Sequence, residues 1–217
     1  MTKTTLYLGN KNYSSWSLRG WLAAKMSGIE FEEEVIPLGE PETSETIRKY
    51  SPSGRVPVLH HDGFVVWDSL AIGEYLAGIV RRHLWPGDDH ARAIARSVSA
   101  EMHGGFMALR EELPMNVRRS YSEHEISHEA QADINRITAI WRDCRSRFGK
   151  GGPYLFGRLG LADAAFAPVV TRFRTYGVPL EGSAADYAEA ILDLPEMKGW
   201  AHDARNEPME QERYEFD

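Results

Sequence analysis

Residues 56–69 read VPVLHHDGFVVWDS, two short apolar runs joined by a turn and followed by a helix start. Residues 56–59 and 64–67 are rich in β-branched and aromatic side chains, a composition typical of strands. The His-Asp-Gly turn at residues 61–63 predicts a hairpin, and the Asp-Ser pair after the second run is suited to cap a helix. We therefore predict a β-β-α unit in this stretch.

Upstream of this unit, the sequence alternates between strand and helix patterns. Residues 4–8 form a β-prone run, and residues 31–36 predict a second strand. Between them, the Ser-Ser pair at residues 14–15 can cap a helix with apolar side chains at helical spacing, which Gly28 ends. A weaker helical pattern covers residues 42–50. The predicted order is therefore β-α-β-α-β-β-α.

Downstream, the strand patterns stop. A polar segment broken by Pro86 and Gly87 is typical of a linker. Helices are then predicted over residues 91–113, 125–148, 161–176, 184–192 and 196–206. We predict an α/β domain over residues 1–80, a linker over 81–90 and an all-helical domain over 91–217. The acidic final segment, residues 209–217, is expected to be loosely held.

Composition narrows the functional classes. The chain has 217 residues, with 25 Lys and Arg against 32 Asp and Glu, and the resulting charge of −7 argues against a nucleic-acid partner. No stretch approaches the roughly 20 apolar residues of a membrane helix, and the N-terminal residues predict no export signal. Cys144 is the only cysteine, so we predict no disulfide and a reducing, cytoplasmic compartment.

One motif suggests a metal site and is set aside. Residues 124–128 read HEISH, which satisfies the H-E-x-x-H pattern of zinc hydrolases. The segment is polar, lies at a helix start and has no third ligand at a suitable spacing, whereas a catalytic zinc site needs three protein ligands. A solvated helix start is favoured, and we predict no metal.

Three other features can be either structural or functional. The start of the first helix, at residues 14–15, can be a plain cap or an anion site. Pro57 can simply head an edge strand, whereas a cis Val56–Pro57 bond would free the Val56 N–H and C=O for an extended peptide. Asp68 and Ser69 can cap a helix or face the ammonium and carboxylate groups of a ligand.

These features, in this order, resemble the glutathione S-transferases, which have a thioredoxin-like N-terminal domain followed by an all-helical domain. The Gly-Pro-Tyr-Leu-Phe-Gly run at residues 152–157, followed by Leu-Ala-Asp at 161–163, is similar to that family's helix-start motif. Gly160 stands where the usual capping hydroxyl would be. Residues 195–200 resemble the closing helix of the family.

Within the family, the Ser14-Ser15-Trp16 run resembles a bacterial, serine-type member closest to the zeta class, whose pattern is S-S-C. The resemblance implies that Ser14 contacts the glutathione sulfur, with Ser15 as the alternative. Trp16 replaces the zeta cysteine, which puts maleylacetoacetate isomerisation in doubt. Cys144 lies in the helical domain and argues against a cysteine-type class. Tyr7 lies within a strand, so we expect it in the core.

The resemblance also implies a ligand site. Glutathione, the co-substrate, would lie extended along Val56, and Asp68 and Ser69 would hold its γ-glutamyl end. The remaining expected glutathione contacts are Trp16, Arg19 and Arg55. The electrophile pocket is expected to include Met102, His103, Phe106 and Arg110. The expected reaction is attack by the glutathione thiolate on a small hydrophobic electrophile, a detoxifying conjugation that uses no metal.

Two alternatives remain: a non-catalytic protein of this fold that binds ligands or partners, and a glutathione-dependent isomerase of the maleylacetoacetate type. The resemblance implies a homodimer with a twofold axis. Exposed apolar residues expected to serve such contacts are Phe64, Val65, Trp67, Met102 and Phe106. No nucleic acid or membrane is expected as a partner. The geometry implied for the ligand also predicts that Pro57 is cis.

Overall fold

The structure, a computed structural model, describes residues 3–80 and 83–216. The strands are β1 (Thr5–Leu8), β2 (Glu32–Val35), β3 (Val58–His61) and β4 (Phe64–Trp67). The helices before residue 80 are α1 (Ser15–Ser27), α2 (Thr43–Arg48) and α3 (Ser69–Ile79). The later helices are α4 (Asp89–Gly104), α5 (Met107–Glu112), α6 (His128–Phe148), α7 (Leu161–Thr175), α8 (Ser183–Leu192) and α9 (Pro195–Asn206). No helix in these described ranges is long and apolar enough to cross a membrane.

The four strands form one mixed sheet in the order β2-β1-β3-β4. Strand β1 runs parallel to β2 and antiparallel to β3, and β3 pairs with β4 as the predicted hairpin. Asp62 and Gly63 at the hairpin turn have φ angles of 49° and 81°. Two consecutive positive φ angles match the tight turn that follows the natural twist of a hairpin. The predicted thioredoxin-like arrangement with a helical second part is confirmed.

Helix α1 lies close to the loop that leads into β3. A Cβ atom on Gly20 would come within 2.8 Å of Pro57 Cγ, so a glycine is needed for this close approach. The Val56–Pro57 peptide bond is cis, as predicted. Helix α1 and the Val56–Pro57 segment are thus packed against each other at Gly20.

Helix α7 is the central element of the helical part, because nearly all of its residues are buried. Trp141 of α6 packs edge-on against Phe166 of α7 and Tyr187 of α8, with ring centroids 6.0 and 4.9 Å apart. Helix α7 also packs against α1 and α4. It therefore connects the core of the helical part to the start of α1.

The buried Asp163 fixes the beginning of α7. Its Oδ2 atom accepts a hydrogen bond from the Gly160 N–H at 2.8 Å, and Oδ1 accepts one from the Leu155 N–H at 3.1 Å. The carboxylate thus holds the backbone that leads into α7 against the first turn of the helix, as the acidic member of a capping box does. Burial raises the pKa of Asp163 to about 7, and these two N–H groups act in the opposite direction.

Two of the predicted helices differ from the observed ones. The helix predicted over residues 91–113 is interrupted between α4 and α5, because Phe106 adopts a left-handed conformation with φ of 62°. The helix predicted from residue 125 begins at His128, where Ser127 Oγ accepts a hydrogen bond from the Ala130 N–H at 3.1 Å. Side-chain capping therefore sets this boundary three residues later than the apolar pattern does.

The expectation of a loosely held C-terminal segment is wrong for residues 209–216. The Tyr13 hydroxyl donates to Glu215 Oε1 at 2.6 Å, and Asn116 Nδ2 donates to the Tyr214 carbonyl at 3.0 Å. Gln211 is buried, and its N–H donates to the Tyr13 hydroxyl at 3.2 Å. The segment therefore packs against the loop before α1. Asp217 lies outside the described residues.

Candidate functional site

Ser14 caps helix α1. Its Oγ atom accepts a hydrogen bond from the Ser17 N–H at 3.3 Å and donates to Ser17 Oγ at 2.8 Å. Ser17 Oγ in turn accepts from the Gly9 N–H at 2.9 Å, which links the cap to the end of β1. The Ser14 hydroxyl proton is therefore used within the cap.

Ser15, the first residue of α1, contacts a residue from the other half of the chain. Its Oγ atom accepts a hydrogen bond from Arg172 Nη2 of α7 at 3.2 Å. Both side chains are buried. The sequence separation is 157 residues, so no local pattern around Ser15 could have revealed this contact.

A cavity of about 560 Å³ lies beside the cis peptide bond. Its lining residues are Trp16, Ser53, Arg55, Val56, Pro57, Trp67, Asp68, Ser69 and His103. Within residues 3–80 and 83–216, no hydrogen bond uses the Val56 N–H or C=O. The backbone of Val56 is thus open to pairing with an extended ligand. We refer to this space as the peptide cavity.

Asp68 and Ser69 stand at the start of α3 on the wall of the peptide cavity. Asp68 Oδ1 accepts from the Leu70 N–H at 2.8 Å and thereby caps the helix, while Asp68 Oδ2 lies 3.1 Å from His103 Nε2. Ser69 Oγ is buried and has no hydrogen-bond partner among the described residues. An unpaired buried hydroxyl carries an energetic cost that a polar ligand group would remove.

A second cavity of about 280 Å³ shares one lining residue, Trp16, with the peptide cavity. Its other lining residues are Tyr13, Ser14, Ser15, Leu38, Arg110, Pro114, Met115, Arg172, Gln211, Arg213 and Tyr214. These include three guanidinium groups and no carboxylate. We refer to this space as the cationic cavity. The C-terminal segment supplies part of its wall.

Three arginines surround Trp16 and Ser15. The guanidinium carbons of Arg19 and Arg110 lie over the Trp16 ring, 4.4 and 4.8 Å from its centroid. Burial, and then repulsion from Arg110 and Arg172, lowers the pKa of Arg19. Burial, followed by repulsion from Arg110, lowers the pKa of Arg172 to about 10. The cluster is therefore a concentration of positive charge in a chain whose net charge is −7.

The structure brings most of the predicted site residues together. The peptide cavity is lined by five of them: Trp16, Arg55, Val56, Asp68 and Ser69. The cationic cavity is lined by the two serines, Ser14 and Ser15. Arg19 is 4% exposed and lines neither of these cavities; its Nε atom donates to the Ala165 carbonyl at 2.9 Å. It lies behind the Trp16 ring and lines a separate small cavity, of which Ser69 and His103 also form part of the wall.

The four residues expected in the electrophile pocket do not lie together in the structure. Arg110 lines the cationic cavity, whereas His103 lines the peptide cavity. Met102 and Phe106 are buried in the hydrophobic core and line neither cavity, because α4 turns its apolar face inward and ends before Phe106. They are not exposed either, so the expectation that they serve a subunit contact is wrong. Sequence reasoning missed Arg172 and Arg213.

Other candidate nucleophiles and ligands lie elsewhere. Cys144 is buried, and burial raises the pKa of its thiol to about 12. Tyr7 is half-buried and stacks on Tyr50 with ring centroids 4.1 Å apart. The expectation that Tyr7 lies in the core is therefore wrong. His124 precedes α6 and His128 begins it, so their imidazoles do not share one helical face. The described ranges contain no group of three or more potential metal ligands.

Comparisons with known families match both parts of the chain. The model of the glutathione S-transferase N-terminal domain matches residues 13–79, and that of the glutathione S-transferase C-terminal domain matches residues 127–203. These two matches together span about two thirds of the chain. The first one includes the start of α1, the cis peptide bond and the cap of α3.

Individual relatives have low sequence identity over most of the chain. Maleylacetoacetate isomerase from Rattus norvegicus is 29% identical over 187 residues, which are 82% of each protein. Glutathione S-transferase L1 from Arabidopsis thaliana is 23% identical, over 84% of this chain and 70% of its own. A crystal structure of a Burkholderia glutathione transferase homolog with bound glutathione aligns with a TM-score of 0.70 at 25% identity, covering 95% of this chain and 100% of that one.

Proposed function

Because this chain belongs to the glutathione S-transferase family, we propose that its two adjoining cavities bind glutathione and a small electrophile and join them through the glutathione sulfur. The observation that carries this proposal is the peptide cavity, which combines an open Val56 backbone, the Asp68 carboxylate and the unpaired Ser69 hydroxyl. Trp16 also lines the cationic cavity, on whose wall Ser14 and Ser15 lie.

Glutathione is an extended tripeptide with a charged group at each end. Its cysteinyl backbone would pair with Val56, and Asp68 and Ser69 would hold the γ-glutamyl ammonium and carboxylate. Arg55, on the same cavity wall, is a suitable partner for the glycine carboxylate. In this orientation the sulfur points along Trp16 toward the start of α1.

The chemistry required at that point is formation of a thiolate. A free thiol has a pKa near 8.5 and is mostly protonated at neutral pH, although the thiolate is the nucleophile. A hydroxyl donating to the thiolate contributes about 1.5–3 kcal/mol, or about 1–2 pKa units. The N-terminus of α1 adds about 0.3–1 kcal/mol. The serine hydroxyl is therefore the larger contribution, and no metal is required.

The cationic cavity indicates the chemical class of the electrophile. Leu38, Pro114 and Met115 offer apolar contact, while Arg110 and Arg213 offer donors for an anion. We therefore propose a small electrophile with an apolar body and an acidic group. The thiol proton passes to solvent, and the thiolate attacks the electrophilic carbon. In a substitution the leaving group departs into solvent, and in an addition the neighbouring carbon takes a proton from water.

Isomerisation is a second candidate, because several relatives are named maleylacetoacetate isomerase. Trp16 stands where the zeta-class pattern has cysteine and argues against this reaction. An isomerase regenerates free glutathione after each turnover, whereas a transferase consumes it. Following glutathione consumption with an acidic electrophile therefore separates the two reactions.

We expect calorimetry to detect glutathione binding, and an aryl halide assay to detect conjugation above the rate without protein. S-methylglutathione is the matched ligand control, since it keeps both charged ends but has no free thiol. It should bind without turnover. Absence of glutathione binding would contradict the proposal. Binding without turnover over a broad panel of electrophiles would favour a non-catalytic binding protein instead.

We propose the expected homodimer, with β4 at the subunit contact. Phe64, Val65 and Trp67 of this edge strand are 67%, 39% and 45% exposed. Sedimentation at micromolar concentration should give about twice the chain mass of 24.5 kDa. Phe64→Glu should shift the population to the monomer, because it places a charge in an apolar contact. A monomeric wild-type protein would rule this out.

We further propose the division into a glutathione-binding domain (1–80), a linker (81–90) and a domain forming the electrophile pocket (91–217). Helix α4 begins at Asp89, within the last two residues of the predicted linker, and residues 81 and 82 lie outside the described residues. Support comes from the strands, which all lie before Asp68, and from the arginines of the cationic cavity, which lie after residue 91. The bacterial, zeta-like class assignment rests on the Ser-Ser-Trp run and stays a prediction. The lone buried Cys144 favours a reducing, cytoplasmic compartment.

A further inference from the structure

Arg172 projects from α7 to the start of α1 and is 4% exposed. Its Nε atom donates to the Leu113 carbonyl at 2.8 Å, and Nη2 donates to Ser15 Oγ at 3.2 Å. Its Nη1 atom is buried and has no hydrogen-bond partner in residues 3–80 and 83–216. A guanidinium that is buried with unused donors needs compensation from a nearby negative charge.

The hydrogen bond from Arg172 determines whether the Ser15 hydroxyl oxygen is a donor or an acceptor in that contact. A guanidinium has only donors, so Ser15 Oγ must be the acceptor of this bond. The Ser15 hydroxyl proton is then free to point elsewhere, and the described residues offer it no acceptor. Ser15 thus presents an unused donor on the wall of the cationic cavity.

Ser14 is in the opposite situation. Its hydroxyl proton is donated to Ser17 Oγ, and its oxygen accepts from the Ser17 N–H. Donating to a sulfur would require Ser14 to give up the first of these bonds. Of the two adjacent serines, Ser15 is therefore the one already arranged to donate to a ligand.

The groups around Arg172 do not neutralise it. The charged or titratable groups that act on it are Arg110, Tyr176 and Tyr214. Arg19, on α1, carries two further buried guanidinium nitrogens without hydrogen-bond partners. No carboxylate in the described part of the chain forms an ion pair with Arg172. Positive charge therefore remains uncompensated next to the Ser15 hydroxyl.

We propose that Ser15 is the hydroxyl that donates to the glutathione sulfur, and that Arg172 is the positioning residue that orients and polarises it. Arg172 holds the Ser15 oxygen by donating to it, and its charge favours an anion at the position the Ser15 proton faces. The thiolate supplies a negative charge beside Arg172, on which no carboxylate of the described residues acts, whereas Asp68 acts on Arg19 and Asp133 on Arg110. Ser14 then serves as the helix cap. This inference rests on the proposed function.

The thiol pKa of bound glutathione tests this role directly, through a pH titration of the thiolate ultraviolet absorbance. We expect Ser15→Ala and Arg172→Gln each to raise that pKa by about one unit, which is a tenfold fall in the acid dissociation constant of the thiol. The double variant should shift it by less than the sum, because both substitutions disrupt one unit. Arg172→Lys, which keeps the charge, should recover part of the shift.

Arg174→Gln is the matched control for Arg172. It makes the same substitution two residues along α7, at an arginine that lines neither the peptide nor the cationic cavity. The thiol pKa should not move in this variant. If Arg172→Gln does not fold, Ser15→Ala compared with Ser14→Ala decides the question. A larger shift in Ser14→Ala would overturn the assignment.

Two further outcomes would overturn the proposal in different ways. If wild-type protein binds glutathione and Arg172→Gln raises KM for an acidic electrophile without moving the thiol pKa, then Arg172 binds the electrophile instead. The proposed function stands in that case. If wild-type protein binds no glutathione, the proposed function and this inference both fail.

Discussion

We expect Asp68→Asn to weaken glutathione binding roughly 10- to 150-fold while leaving the melting temperature nearly unchanged. The fold change corresponds to loss of one hydrogen bond to a charged group, about 1.5–3 kcal/mol. Asn keeps the oxygen that caps α3 and is as good a cap as Asp. It removes the charge that would face the γ-glutamyl ammonium and, with it, the charged contact to His103 at 3.1 Å. Titration calorimetry and thermal unfolding measure the two effects separately.

Asp88→Asn is the matched control. Asp88 caps α4 in the same way, with Oδ1 accepting from the Ala91 N–H at 2.8 Å, and it does not line the peptide cavity. Glutathione affinity and stability should both stay near the wild-type values. Wild-type affinity in Asp68→Asn would show that the ammonium binds elsewhere. A large fall in melting temperature would instead assign the effect to the helix cap.

The sequence predicts the parts of this fold that depend on neighbouring residues. Asp62 and Gly63 form the hairpin turn, and Asp68 caps α3, because each interaction spans only two or three positions. The helix start at His128 was misplaced, since apolar spacing runs on through residues that do not become helical. The break at Phe106 was missed although Gly104 and Gly105 precede it, and paired glycines are a known breaker signal.

The missed site residue Arg172, and the C-terminal segment that carries Arg213, are both placed by contacts across long sequence separations. Arg172 reaches Ser15 over 157 positions, and Glu215 reaches Tyr13 over 202. An arginine within a helical pattern is ordinarily an exposed surface residue, and only tertiary packing turns this one inward. The same reason explains Met102 and Phe106, whose burial depends on how α4 faces the core.

The two adjacent serines look equivalent in the sequence but have different hydrogen-bond partners in the structure. A Ser-Ser pair at a helix start is compatible with either residue as the cap, because both have the same hydroxyl. The structure separates them through their partners: Ser14 bonds within its own turn, and Ser15 bonds to α7. Through Arg172, the helical part of the chain would therefore contribute to activation of the glutathione sulfur as well as to electrophile binding.

The second large effect concerns stability. We expect Asp163→Ala to lower the free energy of unfolding by about 2–6 kcal/mol, because it leaves two buried N–H groups unpaired at about 1–3 kcal/mol each. These are the N–H groups of Leu155 and Gly160. Asp186→Ala is the control: it removes an exposed carboxylate from the first turn of α8 and should change stability by about 0.5 kcal/mol or less.

The contribution of Asp163 to the stability of the folded protein should fall as the pH rises. Asp163 has a pKa of about 7 in the folded protein, above the ordinary value of about 3.9 for an unfolded chain. The folded state therefore binds the proton more tightly, and the stability contributed by protonation declines as the pH rises from about 4 to about 7. Chemical unfolding of wild-type protein and Asp163→Asn across this range should show wild type losing its relative advantage. A difference that is constant with pH would mean that the hydrogen bonds outweigh burial and keep Asp163 ionised throughout.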